Sequence, residues 1–242
     1  MKKLYKLFKA NAKLAQRDAF KVEASDDTAT IYMYDVIDAD FGINAIDFAK
    51  SLAMVGPKAT INLRINSPGG DVFEARAIAT AIKAHAGKVV AHIDGLAASA
   101  ATTIAVVADE VVIAEGSLFM IHNSWTLALG DRNDMRDTAD LLEKIDGAIA
   151  LDYATRTGKS IQDVAAMMDA ETWLTAAEAV DAGFADRLAD EPKAKAKNAT
   201  TWDVSAYDNA PAILNTPEAD PAPDYTAQRT RNENRLRMLS IN

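Results

Sequence analysis

Ala59-Thr60-Ile61-Asn62-Leu63-Arg64-Ile65, running straight into Asn66-Ser67-Pro68-Gly69-Gly70-Asp71, is the stretch that decides the fold. Its first half alternates apolar and polar residues and predicts a strand over 59–65. Pro68-Gly69-Gly70 predicts a sharp turn. Asp71, with Glu74 three residues later, predicts a capping box that opens a helix over 72–86. A strand, a tight turn and a capped helix make half of a βαβ unit.

The same grammar continues on both sides. Residues 28–37 are rich in β-branched and aromatic types and predict a strand, and Ile43, Ile46, Phe48 and Leu52 fall at helical spacing over 43–54. A third apolar strand is expected over 88–93, an Ala-rich helix from about 98 to 107, and short strands over 109–114 and 118–122. Strands and helices that alternate in this way imply a largely parallel sheet. From Asn133 to Thr157 the pattern changes. Met135, Ala139, Leu142, Ile145, Ile149 and Tyr153 share one face of a long helix that Gly158 ends. Ser160 with Asp163 opens a further helix, and Thr175 with Glu178 opens a last one, closed by Gly183.

These patterns divide the chain into an arm (1–24), a main domain (25–190) and a flexible acidic, Pro-rich tail (191–242). Leu4, Leu7, Phe8 and Leu14 share a helical face in the arm, while Lys6 and Lys9 break any apolar run of signal-peptide length. In the tail, residues 191–200 and 217–224 have linker composition, and 226–239 predicts a short basic helix.

Composition narrows the chemistry. The 242 residues carry a formal net charge of -9, which argues against a broad phosphate-binding face. The chain has no cysteine, which removes disulfides, thiolate metal sites and cysteine nucleophiles. Only three histidines are present, His85, His92 and His122, so a multi-histidine metal site is not expected. No segment is apolar over the length a bilayer requires. The sequence reads as a cytoplasmic protein with no cofactor, no metal, no nucleic-acid partner and no membrane partner.

Four features could carry chemistry, and each is weak alone. The Pro68-Gly69-Gly70 turn leaves backbone amides open at a helix start, where an oxyanion can be stabilised, although most such turns only connect a strand to a helix. Gly95-Leu96-Ala97-Ala98-Ser99-Ala100-Ala101 sets one hydroxyl among small residues at the mouth of a helix; an isolated serine there is ordinarily an N-cap. It lacks the Gly-x-Ser-x-Gly spacing of an α/β-hydrolase. His122, in Met120-Ile121-His122-Asn123-Ser124-Trp125, ends an apolar strand and titrates in the range a general base needs, whereas His85 and His92 read as structural. Asp169 and Glu171 precede the Thr175 helix, where a carboxylate could orient a histidine or simply be solvated.

Taken together and in order, the motifs Ile65-Asn66-Ser67-Pro68-Gly69-Gly70, Gly95-Leu96-Ala97-Ala98-Ser99-Ala100, Met120-Ile121-His122-Asn123 and Trp173-Leu174-Thr175-Ala176-Ala177-Glu178-Ala179 with Gly183 resemble the Clp protease proteolytic subunit, ClpP, and especially its phage-encoded relatives. The resemblance spans about residues 28–188. It implies a ClpP/crotonase-type α/β spiral of ββα units with a projecting handle helix over 133–157. It implies serine endopeptidase activity, with Ser99 as nucleophile, His122 as base and the amides of Gly70 and Ala100 as oxyanion hole. Asp71, Val72, Asn123 and Trp125 lie on the edges that hold substrate as an added strand. The acid of the triad falls at Glu171, where the family usually has aspartate, with Asp169 as the alternative. The implied partners are a peptide or protein substrate and further copies of the chain, in a heptameric ring or double ring. Phage relatives process capsid and scaffold proteins in the host cytoplasm within a procapsid, and cellular relatives work with an ATPase. A non-catalytic ring or scaffold protein and a crotonase-type acyl-CoA enzyme are the readings from other classes.

Overall fold

Alternation in the 59–67 stretch becomes a strand whose residues Ile61, Leu63 and Ile65 are all buried. The computed structural model describes Leu7, Asn11 and residues 20–25, 27–190 and 202–211. The elements are β1 (Phe20–Ala24), β2 (Thr28–Met33), α1 (Ala45–Ala53), β3 (Thr60–Ser67), α2 (Val72–Ala84), β4 (Val89–Ala98) and α3 (Ala100–Ala105). Then follow β5 (Glu110–Ile113), β6 (Leu118–Ile121), α4 (Arg132–Thr157), α5 (Ile161–Asp169), β7 (Thr172–Thr175), α6 (Ala176–Asp181) and β8 (Arg187–Leu188).

One eight-stranded sheet runs β1-β2-β3-β4-β5-β8, with β6 pairing β4 and β7 pairing β6. The pairings β2–β3, β3–β4, β4–β5, β4–β6 and β5–β8 are parallel, while β1–β2 and β6–β7 are antiparallel. Strand β4 forks. Val90–Ile93 pair with β5 and Leu96–Ala98 pair with β6. The main core packs Ile31, Leu63, Ile93 and Val111 of the sheet against Phe48, Ile78, Ile104, Tyr153 and Phe184.

Two local expectations change. The Ala-rich segment continues as strand to Ala98, and the helix begins only at Ala100. Residues 96–98 pair with β6 and Ala97 pairs with Ser67, so tertiary pairing overrides alanine's helix propensity. Asp71 caps α2 by accepting from the N–H groups of Phe73 and Glu74, but Glu74 does not close the box. The Asp71 N–H donates instead to Ile37 O at 2.7 Å, which frees Glu74 to accept from Ala45 N at 2.6 Å and tie α2 to α1. Residues 20–24, at the end of the arm, form β1 against β2.

Helix α4 opens on an Asp131–Asp134 capping box and ends at Gly158 with φ 70°. Only Ile149, Ala150 and Tyr153 of it are buried, while Met135 and Leu141 are exposed, so its N-terminal half projects from the body. The expected flexible tail returns in part. Trp202, Val204, Ala206 and Tyr207 are buried in a second cluster with Leu7, Leu96, Ala98 and Met120. The physical reason is composition: 202–211 is an apolar, aromatic island between two linker-like runs. Leu4, Phe8, Leu14 and the segments 191–200, 217–224 and 226–239 lie outside the described residues.

Candidate active site

Ser99 sits at the junction of β4 and α3 with φ 54° and ψ -125°. Among the described residues it and Glu171, at φ 47°, are the only non-glycine residues with positive φ. Such angles persist only where the surroundings enforce them. At Ser99 the constraint is visible. Its N–H donates to Met120 O at 2.9 Å, and its carbonyl accepts from Thr102 N at 2.9 Å. Buried Ala97, Ala98, Ala100 and Ala101 flank it and leave no space for another course. The hydroxyl makes no capping bond. It lies 2.7 Å from His122 Nε2, which separates it from an ordinary N-cap serine. With the imidazole proton on Nδ1, Nε2 accepts from the hydroxyl, as a base toward a nucleophile must.

Strand register brings the two together. Ala98 lies beside Met120 in the parallel β4–β6 pair, so the residues just beyond, Ser99 and His122, emerge at one end of neighbouring strands. The antiparallel β6–β7 pair sets Ile121 opposite Thr172, which puts Glu171 beside His122 in the chain's layout. The three positions lie at adjacent strand ends although the outer two are 72 positions apart in the sequence.

The glycine turn closes the site from the other side. A Cβ on Gly69 would stand 2.6 Å from Ala98 O, 2.9 Å from Ser99 Cβ and 3.2 Å from Ala100 N. The turn therefore touches the serine junction with backbone alone. A Cβ on Gly70 would stand 2.0 Å from Ile37 O. Ile37 clamps this turn by donating its N–H to Gly69 O at 2.9 Å and accepting from Asp71 N. The backbones of Gly70 and Ala100 are thus held next to Ser99.

The two acids have other partners. Glu171 Oε1 accepts from Trp173 Nε1 at 3.2 Å and from Asn209 N at 2.7 Å, and its Oε2 accepts from Asp208 N at 3.0 Å. Asp169 Oδ1 accepts from Asn123 Nδ2 at 2.6 Å. Both acids line one cavity with His122. Asn123 is thereby a partner of Asp169, and Asp71 spends its carboxylate on the α2 cap. Val72 and Trp125 line a second cavity of about 170 Å³ with Gly70, Ser99, Ala100 and His122. Beneath Ser99, Thr102 Oγ1 bonds the hydroxyl of fully buried Tyr153, whose phenol burial pushes up to about 12.

His85 and His92 are engaged with Ala59 O and Asn62 Oδ1, as structural histidines. The sequence reading missed Tyr207. Its ring packs edge-on against His122 with centroids 5.2 Å apart, and its hydroxyl donates to Pro68 O at 2.6 Å. It also missed Asn66, whose Oδ1 accepts from Trp202 Nε1 at 3.1 Å. The available signal was the apolar island at 202–207 within an otherwise polar tail. Among the described residues no group of three or more acidic or histidine side chains is placed to hold a metal, and no helix is long and apolar enough to cross a membrane.

The profile of the family described as Clp protease matches residues 17–192, well over half of the chain. The chain belongs to the Clp protease family. It is a serine peptidase of the ClpP type. Similar relatives include the ATP-dependent Clp protease proteolytic subunit 1 of Protochlamydia amoebophila, 29% identical over 67% of this chain and 81% of its own length. The proteolytic subunit 3 of Rhodococcus jostii is 32% identical over 57% of this chain and 69% of its own length. Among solved structures, a ClpP1 mutant from Listeria monocytogenes superposes with a TM-score of 0.60 at 24% identity, covering 69% of this chain and 92% of that one. That likeness shows the ClpP-type fold.

Proposed function

We propose that this chain cleaves peptide bonds with Ser99 as nucleophile and His122 as general base. The observation that carries the reading is the 2.7 Å contact between His122 Nε2 and a Ser99 hydroxyl that has given up its capping role. Ser99 Oγ attacks the substrate carbonyl carbon while its proton passes to His122 Nε2. The oxyanion rests on the N–H groups of Gly70 and Ala100. Collapse breaks the C–N bond, the imidazolium protonates the departing amine, and the acyl group stays on Ser99. Water then attacks that ester, giving one proton to His122, and Ser99 recovers its hydroxyl. Glu171 is the third member in this reading, with Asp169 as the alternative. Substrate lies as an added strand between the Asp71–Val72 edge and the Asn123–Trp125 edge.

The working form is a ring or double ring, in which the projecting, half-exposed α4 meets neighbouring copies. The substrates in this reading are capsid and scaffold proteins of a phage head, processed in the bacterial cytoplasm. The support is the sequence resemblance and the composition shift at Glu191. The relatives' title of ATP-dependent subunit favours a second reading, in which an ATPase feeds the ring. Degradation of a folded protein only when an ATPase is added selects the second reading.

A fluorophosphonate probe tests the chemistry. Wild type should label on Ser99, and both Ser99→Ala and His122→Ala should lose labelling. Equal labelling of all three discards the mechanism.

A further inference from the structure

The segment 202–211 ends on the site in a way that its apolar packing alone does not require. Trp202 anchors it through its bond to Asn66 Oδ1. Asn11 brackets Asp203, accepting from its N–H at 2.8 Å and donating to its carbonyl at 2.9 Å. Tyr207 then enters between His122 and Trp173, edge-on to both rings, and lines the same cavity as Ser99. The next two residues present their N–H groups to the Glu171 carboxylate, and Asn209 Nδ2 donates to Ala170 O at 3.0 Å.

These contacts form a recognition pattern. One carboxylate receives two successive main-chain amides, and an aromatic slot lies directly before them. Such a site takes a peptide with an aromatic residue followed by two residues that each carry a free N–H. We propose that Glu171, Ala170 O, Pro68 O and the His122–Trp173 slot form a peptide-binding site, and that this chain's own residues 202–211 fill it in cis and exclude substrate.

The bound segment is an occupant and not a substrate in this pose. What it sets into the Ser99 cavity is a phenol ring, which offers no carbonyl carbon to attack. While it is bound, the Glu171 carboxylate serves the segment's amides, so release of the segment both uncovers Ser99 and returns the carboxylate. Apparent reactivity then scales with the fraction of molecules whose segment is displaced.

The proposal rests on the Ser99 reading for one of its two readouts, and the full-length chain serves for both. Tyr207→Ala empties the slot, and Asn209→Pro removes one of the two amides at an exposed position without touching the core. Fluorophosphonate labelling of Ser99 should be about tenfold or more faster in each variant than in wild type. Tyr207→Phe, which keeps the ring, serves if Tyr207→Ala does not fold, and should label faster than wild type. A synthetic peptide of residues 202–211, added to Tyr207→Ala, should restore slow labelling, and the same peptide with alanine for its tyrosine should not. The second readout is hydrogen exchange at the Asp208 and Asn209 amides, which should be protected in wild type and lose protection in Asn209→Pro (read at Asp208). If wild type labels as fast as the variants while Ser99→Ala stays unlabelled, the cis occupancy is wrong and the nucleophile stands. If Ser99→Ala labels like wild type, the nucleophile is wrong. Exchange then decides the segment alone, and free-chain rates at both amides overturn it.

Discussion

Gly69→Ala asks whether the glycine turn holds the oxyanion hole. The residue has φ 91°, which an L side chain rarely adopts. The new Cβ would start 2.6 Å from Ala98 O and 2.9 Å from Ser99 Cβ. Neither atom can yield easily. Ala98 is paired into β4, and the Ser99 N–H is bonded to Met120 O. The turn must therefore retreat by roughly 0.4–0.8 Å to reach a tolerable contact of about 3.0–3.4 Å. That retreat carries the neighbouring Gly70 amide away from the oxyanion. Loss of one such donor costs about 10²–10³ in kcat. The strained φ and the disturbed Ile37 clamp together should cost on the order of 1–3 kcal/mol of stability. The assay is kcat on a small fluorogenic peptide, with urea unfolding alongside. Gly147→Ala on the projecting helix is the control. Among the described residues no atom outside its own helix's backbone comes within 4 Å of its new Cβ, and it should gain about 0.5–1 kcal/mol with kcat unchanged. A folded Gly69→Ala protein within twofold of wild-type kcat would refute the idea that this turn positions the amide.

Three other outcomes are expected. Tyr153→Phe leaves Thr102 Oγ1 without its buried phenol partner and should lower unfolding free energy by about 1–2 kcal/mol in a denaturant titration, with no loss of labelling at saturating probe. Burial pushes the Asp35 carboxyl up to about 6. A carboxyl raised above its unfolded value favours the fold only while protonated, so its contribution is full below about pH 4 and lost as pH rises through about 6. Asp35→Asn should therefore be more stable than wild type by on the order of 1–3 kcal/mol at pH 7.5, with the gain gone by pH 3.5; a pH-independent difference would count against it. Thr175→Ala opens the reciprocal cap with Glu178 and should cost about 1 kcal/mol, measured by thermal unfolding.

Elements whose signals are local were legible in the sequence. The α4 helix was readable from spacing and from Gly158, and the Ser160 and Thr175 caps were readable from short side chains followed by acids three residues on. Ser99 and His122 were legible as candidates because each follows an apolar strand. Their meeting depends on the β4–β6 register, which no local pattern encodes. The β4 end at Ala98 is illegible for the same reason, since its strand character comes from pairing on both sides. Glu74 fits a local box by spacing alone, yet its carboxylate accepts from the N–H of Ala45, 29 positions away. The 202–211 segment was hidden by its flanks. Proline, lysine and glutamate before it, and proline and acids after it, give the window a linker composition, while Trp202, Val204 and Tyr207 carry the burial.

The fork in β4 has a thermal consequence. The leaf of β6 and β7, which carries His122 and Glu171, is held together by four pairings and hangs from β4 by the three at Leu96–Ala98, whereas the stem is bonded along β2, β3, β4 and β5. Fraying of the leaf parts the imidazole from the hydroxyl and leaves the stem's ladders whole. On warming, then, inactivation should come several degrees ahead of the collapse of far-UV ellipticity, and cooling from that interval should bring activity back in full.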